Sequence, residues 1–120
     1  ITYDFIDENS QYWGGNISPG LEMRFAALHH FTGKLPLEQP AKFNHLFGTS
    51  TREAILAGVQ NGIIYEVDKT IDNFKENYRN LKVIITGGNT DFFDRKLKNS
   101  FFAHFNLVPV GLNRILEFNE

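Results

Sequence analysis

The 120-residue sequence contains no cysteine. Disulfides, thiolate nucleophiles and cysteine-held metals are therefore excluded. It also lacks a dominant charge. Twelve Lys and Arg against fourteen Asp and Glu leave a formal net charge of −2, with both signs interspersed. That gives no electrostatic reason to expect nucleic acid or an anionic membrane as partner. No apolar run approaches the roughly 20 residues needed to span a bilayer, and no signal-peptide pattern is visible. The expectation is a soluble, cytoplasmic protein. Asn16-Ile17-Ser18 matches a glycosylation sequon, a triplet that arises by chance. An initiator Met is also lacking. A strand pattern at residue 1 suggests a chain that starts mid-fold, a fragment or a processed product.

What is present suits a packed core. Hydrophobic residues make up 42% and aromatics 14%, with Phe used 12 times, which argues against disorder. The length predicts a single domain over residues 1–120. Ile1–Asp7 alternates apolar and polar residues and reads as a strand. Asp7-Glu8-Asn9-Ser10 is turn chemistry, and Gln11–Ile17 reads as the returning strand of a hairpin. Ser18 and Pro19 read as the cap and first residue of a helix carrying Leu21, Phe25, Ala26 and Leu28, which stops near Gly33. Lys34–Phe47, with Pro36 and Pro40, reads as an ordered loop.

The next helix is the longest. Ile55, Val59, Ile63, Val67, Ile71, Phe74 and Tyr78 form one apolar stripe at spacings of four and three. Continued to Arg79 it would be about 45 Å long, against a radius of gyration of about 13–14 Å for a compact domain of this size. Ala54, Gly58 and Gly62, four residues apart, give it a second face of small residues. Two readings are open: tight packing inside the domain, or a helix–helix dimer interface. Leu81–Thr86 is a β-branched run expected as a buried parallel strand. Thr90 reads as the cap of a short helix bearing Phe92, Phe93 and Leu97. Leu107–Val110 reads as another strand and Gly111–Phe118 as a closing helix. The class is α/β, with a right-handed crossover expected in the second half.

Three stretches carry candidate chemistry. FGTSTREA, residues 47–54, fits a capping box through Ser50 and Glu53. That leaves Thr49, Thr51 and Arg52 unexplained, and free amides beside hydroxyls also suit an anionic or polyhydroxyl ligand. VIITGGN, residues 83–89, is a strand ending in Gly87-Gly88 before a helix, where α/β folds bind ligands. It lacks a full GxGxxG or a P-loop lysine, so a plain tight turn is the competing reading. GGNISPG, residues 14–20, demands unusual backbone geometry but names no chemistry. His29 and His30 point about 100° apart on a helix and cannot readily share a metal. His45 and His104 are isolated, and spacing singles out none of Asp4, Asp7, Asp91 and Asp94. No nucleophile–base pair is visible.

Taken together, ITYDFID, GGNISPGLEMRFAALHHFTGKLP, GTSTREAILAGVQNGIIYEVD, LKVIITGGNTDFF and LVPVGLNRILEFN, in this order, closely resemble the carboxy-terminal half of type III pantothenate kinases. The resemblance covers essentially the whole chain. It implies the acetate and sugar kinase/actin superfamily, with two ribonuclease-H-like halves and ATP between them. It implies ATP-dependent phosphorylation of pantothenate to 4'-phosphopantothenate, the first step of coenzyme A synthesis, with Mg and a monovalent cation, potassium or ammonium. It further implies a homodimer with composite sites, formed through the long helix after Ser50.

By position, Thr51 matches the family threonine that contacts pantothenate across the dimer interface. Gly87-Gly88 resembles the superfamily's adenosine segment, and Gly15, Pro19 and Gly20 resemble the family's site-shaping GGxIxPG segment. The family's general-base aspartate and its amino-terminal phosphate-binding segment lie upstream. So does the DxGTA segment, which supplies the cation-binding Asp and an ATP-binding Thr. ITYDFID resembles the continuation of that segment. No catalytic or metal-binding residue is therefore expected in this chain, which alone should be inactive without its amino-terminal half. The alternative is a non-catalytic relative, a ligand-binding or transcription accessory factor, although the acidic net charge speaks against direct DNA binding.

Overall fold

The computed structural model describes residues 1–120. The chain forms two compact units, Ile1–Ile63 and Ile64–Glu120, described in turn.

The first unit opens with the hairpin. β1 (Thr2–Ile6) pairs antiparallel with β2 (Tyr12–Ile17) in a register running from Thr2 opposite Ile17 to Ile6 opposite Tyr12. Phe5 faces Gly14 and Ile6 faces Tyr12, so Trp13 is the extra residue of a bulge. Asp7 organises the turn. Its Oδ1 accepts from the amides of Asn9 and Gln11, each at 2.9 Å, and its Oδ2 accepts from Trp13 Nε1 at 2.8 Å. The Trp13 bond, with those amides, holds the Asp7 carboxyl below its usual range. Gly15 is a steric requirement: a Cβ there would overlap the Tyr3 carbonyl on the facing strand.

α1 (Leu21–Thr32) begins later than the Ser18-Pro19 signal predicts. Gly20 is its N-cap, in extended geometry and with no side-chain cap bond. Ser18 is committed to the sheet instead. Its amide donates to the Ile1 carbonyl at 3.0 Å, and its carbonyl accepts from the Ile1 amino group at 2.7 Å. Backbone pairing at the sheet end thus takes the residue that local capping preference would have used. The other end follows expectation, with Gly33 closing the helix at φ 66°. Leu21 and Phe25 are buried and α1 lies against the long helix.

That long helix has three parts: α2 (Thr51–Leu56), a π-helical turn (Ala57–Asn61) and α3 (Gly62–Asn77). Ile55, Val59 and Ile63 of the predicted stripe are buried in the first unit, and Val67 and Ile71 in the second. Tyr78 lies past the end of α3 and is 46% exposed. The small-residue face stays uncovered: a Cβ on Gly58 or Gly62 would meet nothing within 4 Å.

In the second unit, Asn99 ties the chain before residue 100 to α3. Its Nδ2 donates to Asp68 Oδ1 at 3.0 Å and to Asp72 Oδ1 at 2.9 Å, while its Oδ1 accepts from Lys75 Nζ at 2.6 Å. Lys98 and Asn99 also donate their amides to the Asp68 carboxylate. Every polar group of a side chain only 9% exposed is thereby paired.

β3 (Ile84–Ile85) pairs in parallel with β4 (Phe102–Ala103), and α4 (Thr90–Phe93) lies between them in the chain. The alternation strand–helix–strand–helix is kept, but the second strand is Phe102–Ala103 rather than the expected Leu107–Val110, and three placements differ. The Leu81–Thr86 run contributes only a two-residue ladder and is not buried, with Ile84 55% exposed, because β4 is its sole neighbour. Leu107–Val110 is not a strand. It is the first turn of α5 (Leu107–Asn119), and Pro109 fits there because the amides of a first turn have no partner within the helix. Thr90 does not cap α4 but begins it. Its hydroxyl donates to the Gly87 carbonyl at 2.8 Å, while Asn89 takes the cap position and its side chain does not cap the helix.

Candidate functional site

The polar cluster at the start of α2 is built on Gly48. A Cβ there would overlap the Glu53 backbone, so only glycine lets the chain pass this close to the first helical turn. Ser50 is extended at φ −130° and ψ 166°, and its Oγ accepts from the Glu53 amide at 3.2 Å. The Ser50 amide does act on the Glu53 carboxylate as the box expects, but the larger share comes from Thr49, whose amide and hydroxyl each donate to Glu53 Oε2 at 2.8 Å. Those two bonds, the amide first, hold the Glu53 carboxyl below its usual range. Arg52 reaches Glu38 Oε2 at 3.2 Å. Thr49 and Arg52, left over by the capping argument, thus have local partners.

Thr51 does not. It is exposed on the first turn of α2, and its hydroxyl bonds to no other group of the chain. Capping needs only Ser50, so Thr51 contributes nothing visible to the fold and presents a free hydroxyl to solvent.

Beside this turn lies a recess of about 300 Å³, lined by Lys42, Phe43, His45, Arg52, Glu53 and Leu56 among others. Its outer wall is the irregular segment before Phe47, fastened to the π-helical turn by two adjacent amide side chains. Gln60, 3% exposed, accepts from the Ala41 amide and donates to the Ala41 carbonyl, both at 2.9 Å. Asn61 Nδ2 donates to the carbonyls of His45 at 3.0 Å and Leu46 at 3.3 Å. Sequence reasoning passed over both residues. The available signal was a polar residue, Gln60, four positions from Leu56 and three from Ile63 on a helix otherwise apolar on that side. The π-helical turn itself has no sequence signature.

In the second unit Gly87 has φ +100°, a conformation that glycine adopts freely, and both Gly87 and Gly88 are exposed. A Cβ on either would meet nothing within 4 Å. The turn is pinned from below by the Thr90 hydroxyl and open in front.

No three His, Asp or Glu side chains converge as a metal-ligand set. His29 Nδ1 bonds the Leu35 carbonyl at 2.8 Å and His30 packs edge-on against Phe31. Asp4 accepts from the Tyr12 hydroxyl, Asp7 holds the hairpin turn, and Asp94 lies 3.9 Å from Arg95.

A sequence model of the family described as type III pantothenate kinase matches residues 1–73. Relatives of that name match across nearly all of this chain. The one from Flavobacterium johnsoniae is 45% identical over 98% of this chain and 48% of its own length. Those from Christiangramia forsetii and Bacteroides fragilis are 48% and 51% identical over 100% of this chain, and 49% of their own length. The chain spans about half the length of the curated relatives it matches. With the family model covering more than half of its residues, the chain belongs to the type III pantothenate kinase family.

Proposed function

We propose that this chain is the carboxy-terminal half of an enzyme that transfers a phosphoryl group from ATP to the primary hydroxyl of pantothenate, forming 4'-phosphopantothenate for coenzyme A synthesis. The carrying observation is identity of 45–51% to proteins named type III pantothenate kinase, over 98–100% of this chain. In this reading the fold is half of an actin-like, ribonuclease-H-like pair, and the enzyme is cytoplasmic. No helix here is long and apolar enough to cross a membrane.

Thr51 is the substrate-binding residue in this reading. Its hydroxyl is exposed, free of internal partners and held on a rigid helical turn by the neighbouring cap. It would donate to or accept from pantothenate across a homodimer interface. That interface would use the side of the long helix bearing Ala54, Gly58 and Gly62, where the glycines face open space and the neighbouring apolar stripe is already buried. Gly87-Gly88 would lie beside the nucleotide, its backbone open to a flat base.

ATP supplies the transferred group, and phosphoryl transfer depends chiefly on positioning and electrostatic stabilisation. The residues present fit part of this task. They offer a substrate hydroxyl and an open glycine turn, but no converging carboxylates for Mg. In this reading, as the resemblance implies, the general base and the ligands of Mg and of potassium or ammonium belong to the amino-terminal half.

The test is ATP-dependent phosphorylation of pantothenate, with Mg and potassium supplied. The full-length protein should be active and this chain alone inactive. An inactive full-length protein would overturn the proposal.

A further inference from the structure

We propose that Asn61 is a positioning residue for substrate binding. By holding the carbonyls of His45 and Leu46 it fixes the wall of the recess beside Thr51, and so tunes the affinity for pantothenate without touching it. The inference rests on the reading of Thr51 as the substrate-binding residue and deepens it.

Gln60 and Asn61 are neighbours at the end of the π-helical turn. On a regular α-helix adjacent side chains diverge by about 100°. Here both reach the same irregular segment. Gln60 takes both backbone groups of Ala41 at 2.9 Å, and Asn61 Nδ2 donates to the carbonyls of His45 at 3.0 Å and Leu46 at 3.3 Å. The segment is thereby gripped at its two ends, and no other hydrogen bond holds the backbone of residues 41–46. Single π-helical turns inside α-helices are rare and concentrate at functional sites.

The two grips differ in kind. Gln60 is 3% exposed, and the fold needs its bonds. Asn61 is half-buried and both of its bonds are exposed, so water replaces much of what they supply. Ala also favours a helix more than Asn does. Stability therefore does not account for an asparagine here. What Asn61 holds is the wall.

That wall acts on the surroundings of Thr51. Lys42, Phe43 and His45 line one side of the recess, and Arg52, Glu53 and Leu56 line the other. Arg52 and Glu53 follow Thr51 directly. The Glu53 carboxyl, held low chiefly by the Thr49 amide and hydroxyl, is also drawn down by His45, so the two sides interact across the recess. Releasing the wall loosens one side of the surface on which the Thr51 hydroxyl sits. A substrate that must order its binding surface binds more weakly by that ordering cost. The chemical step is untouched, so the loss falls on KM and not on kcat.

The test uses the full-length protein with Asn61→Ala and Asn61→Asp, the second replacing a donor by an acceptor-only carboxylate that faces two carbonyls. KM for pantothenate should rise at least about fivefold in both, and further in Asn61→Asp. Both kcat and KM for ATP should stay within about twofold of wild type. The unfolding midpoint of Asn61→Ala should stay within about 4 °C of wild type, and calorimetric titration with pantothenate should show the same loss of affinity. Asn77→Ala removes the same kind of exposed bond at the far end of α3, from Asn77 Nδ2 to the Asn73 carbonyl at 3.1 Å, and should change none of these. A wild-type KM for pantothenate in Asn61→Ala would overturn the proposal. So would a loss spread over kcat, KM for ATP and the midpoint alike, which would make Asn61 part of the fold only. Should Asn61→Asp unfold, Asn61→Ala decides alone. An inactive full-length protein that still binds pantothenate, more weakly in Asn61→Ala, would sink the kinase reading and leave this one standing. A wild type that binds no pantothenate would overturn both.

Discussion

Replacing Gln60 with Met keeps the side chain's length and removes its hydrogen bonds. Gln60 is 3% exposed and holds both backbone groups of Ala41 at 2.9 Å. The variant therefore strands an amide and a carbonyl. A buried backbone group left unpaired costs about 1–3 kcal/mol. Ala41 is only half-buried, so water re-pairs part of what is lost and the lower end applies to each group. The expected destabilisation is about 2 kcal/mol, or about 8 °C in Tm at about 4 °C per kcal/mol for a small domain. Thermal unfolding of this chain, followed by circular dichroism, measures it directly. Gln60→Glu keeps an acceptor for the Ala41 amide but sets a buried carboxylate against the Ala41 carbonyl, and should cost at least as much as Met. A Gln60→Met variant within about 0.5 kcal/mol of wild type would refute the reasoning. It would mean that the wall of the recess is held by something other than this side chain.

Three further outcomes follow from the same geometry. Ser50→Ala should cost about 1 kcal/mol in denaturant unfolding, and Ser50→Asp should restore it, since the cap needs only an oxygen acceptor for the Glu53 amide. Gly15→Ala should cost at least about 2 kcal/mol and speed exchange of the Tyr3 and Asn16 amides, because the new Cβ overlaps the Tyr3 carbonyl. The Glu53 carboxyl is held below its ordinary value by Thr49. Its contribution is therefore complete above the unfolded glutamate pKa and is lost as pH falls through the lower folded value. Exchange protection of the Thr49 amide, corrected for intrinsic rates, should fall over that acidic window. In Glu53→Gln it should not vary with pH there.

The elements that proved legible are those with local causes. The hairpin followed from alternation in ITYDFID and the turn residues at Asp7–Ser10. The Ser50 cap followed from spacing to Glu53, and Gly33 stopped α1 as an unhindered left-handed residue does. The misplacements have more than one cause. Ser18 pairs with Ile1 rather than capping α1, a competition that no local preference registers. Leu107–Val110 has the apolar, β-branched content of a strand, yet it continues the helical periodicity of Leu112, Ile115 and Leu116, and Pro109 is tolerated in a first turn. Gln60 and Asn99 are ordinary polar residues in the sequence. Their importance comes from the backbone and acidic groups that the fold brings to them. Of the candidate site, the family resemblance marked Thr51 in the sequence, and the freedom of its hydroxyl became visible once Glu53 and Glu38 had accounted for Thr49 and Arg52.

The central claim is that Thr51 serves the substrate and not the fold. It is tested most directly by steady-state phosphorylation of pantothenate in the full-length protein, wild type against Thr51→Ala, with unfolding midpoints measured alongside. The account predicts an active wild type. It predicts a variant whose midpoint is within about 0.5 kcal/mol of wild type and whose kcat/KM for pantothenate falls by at least about tenfold, the loss expected for one hydrogen bond of about 1.4 kcal/mol. Equal kcat/KM in the two proteins, or a loss matched by a fall in stability, would contradict it.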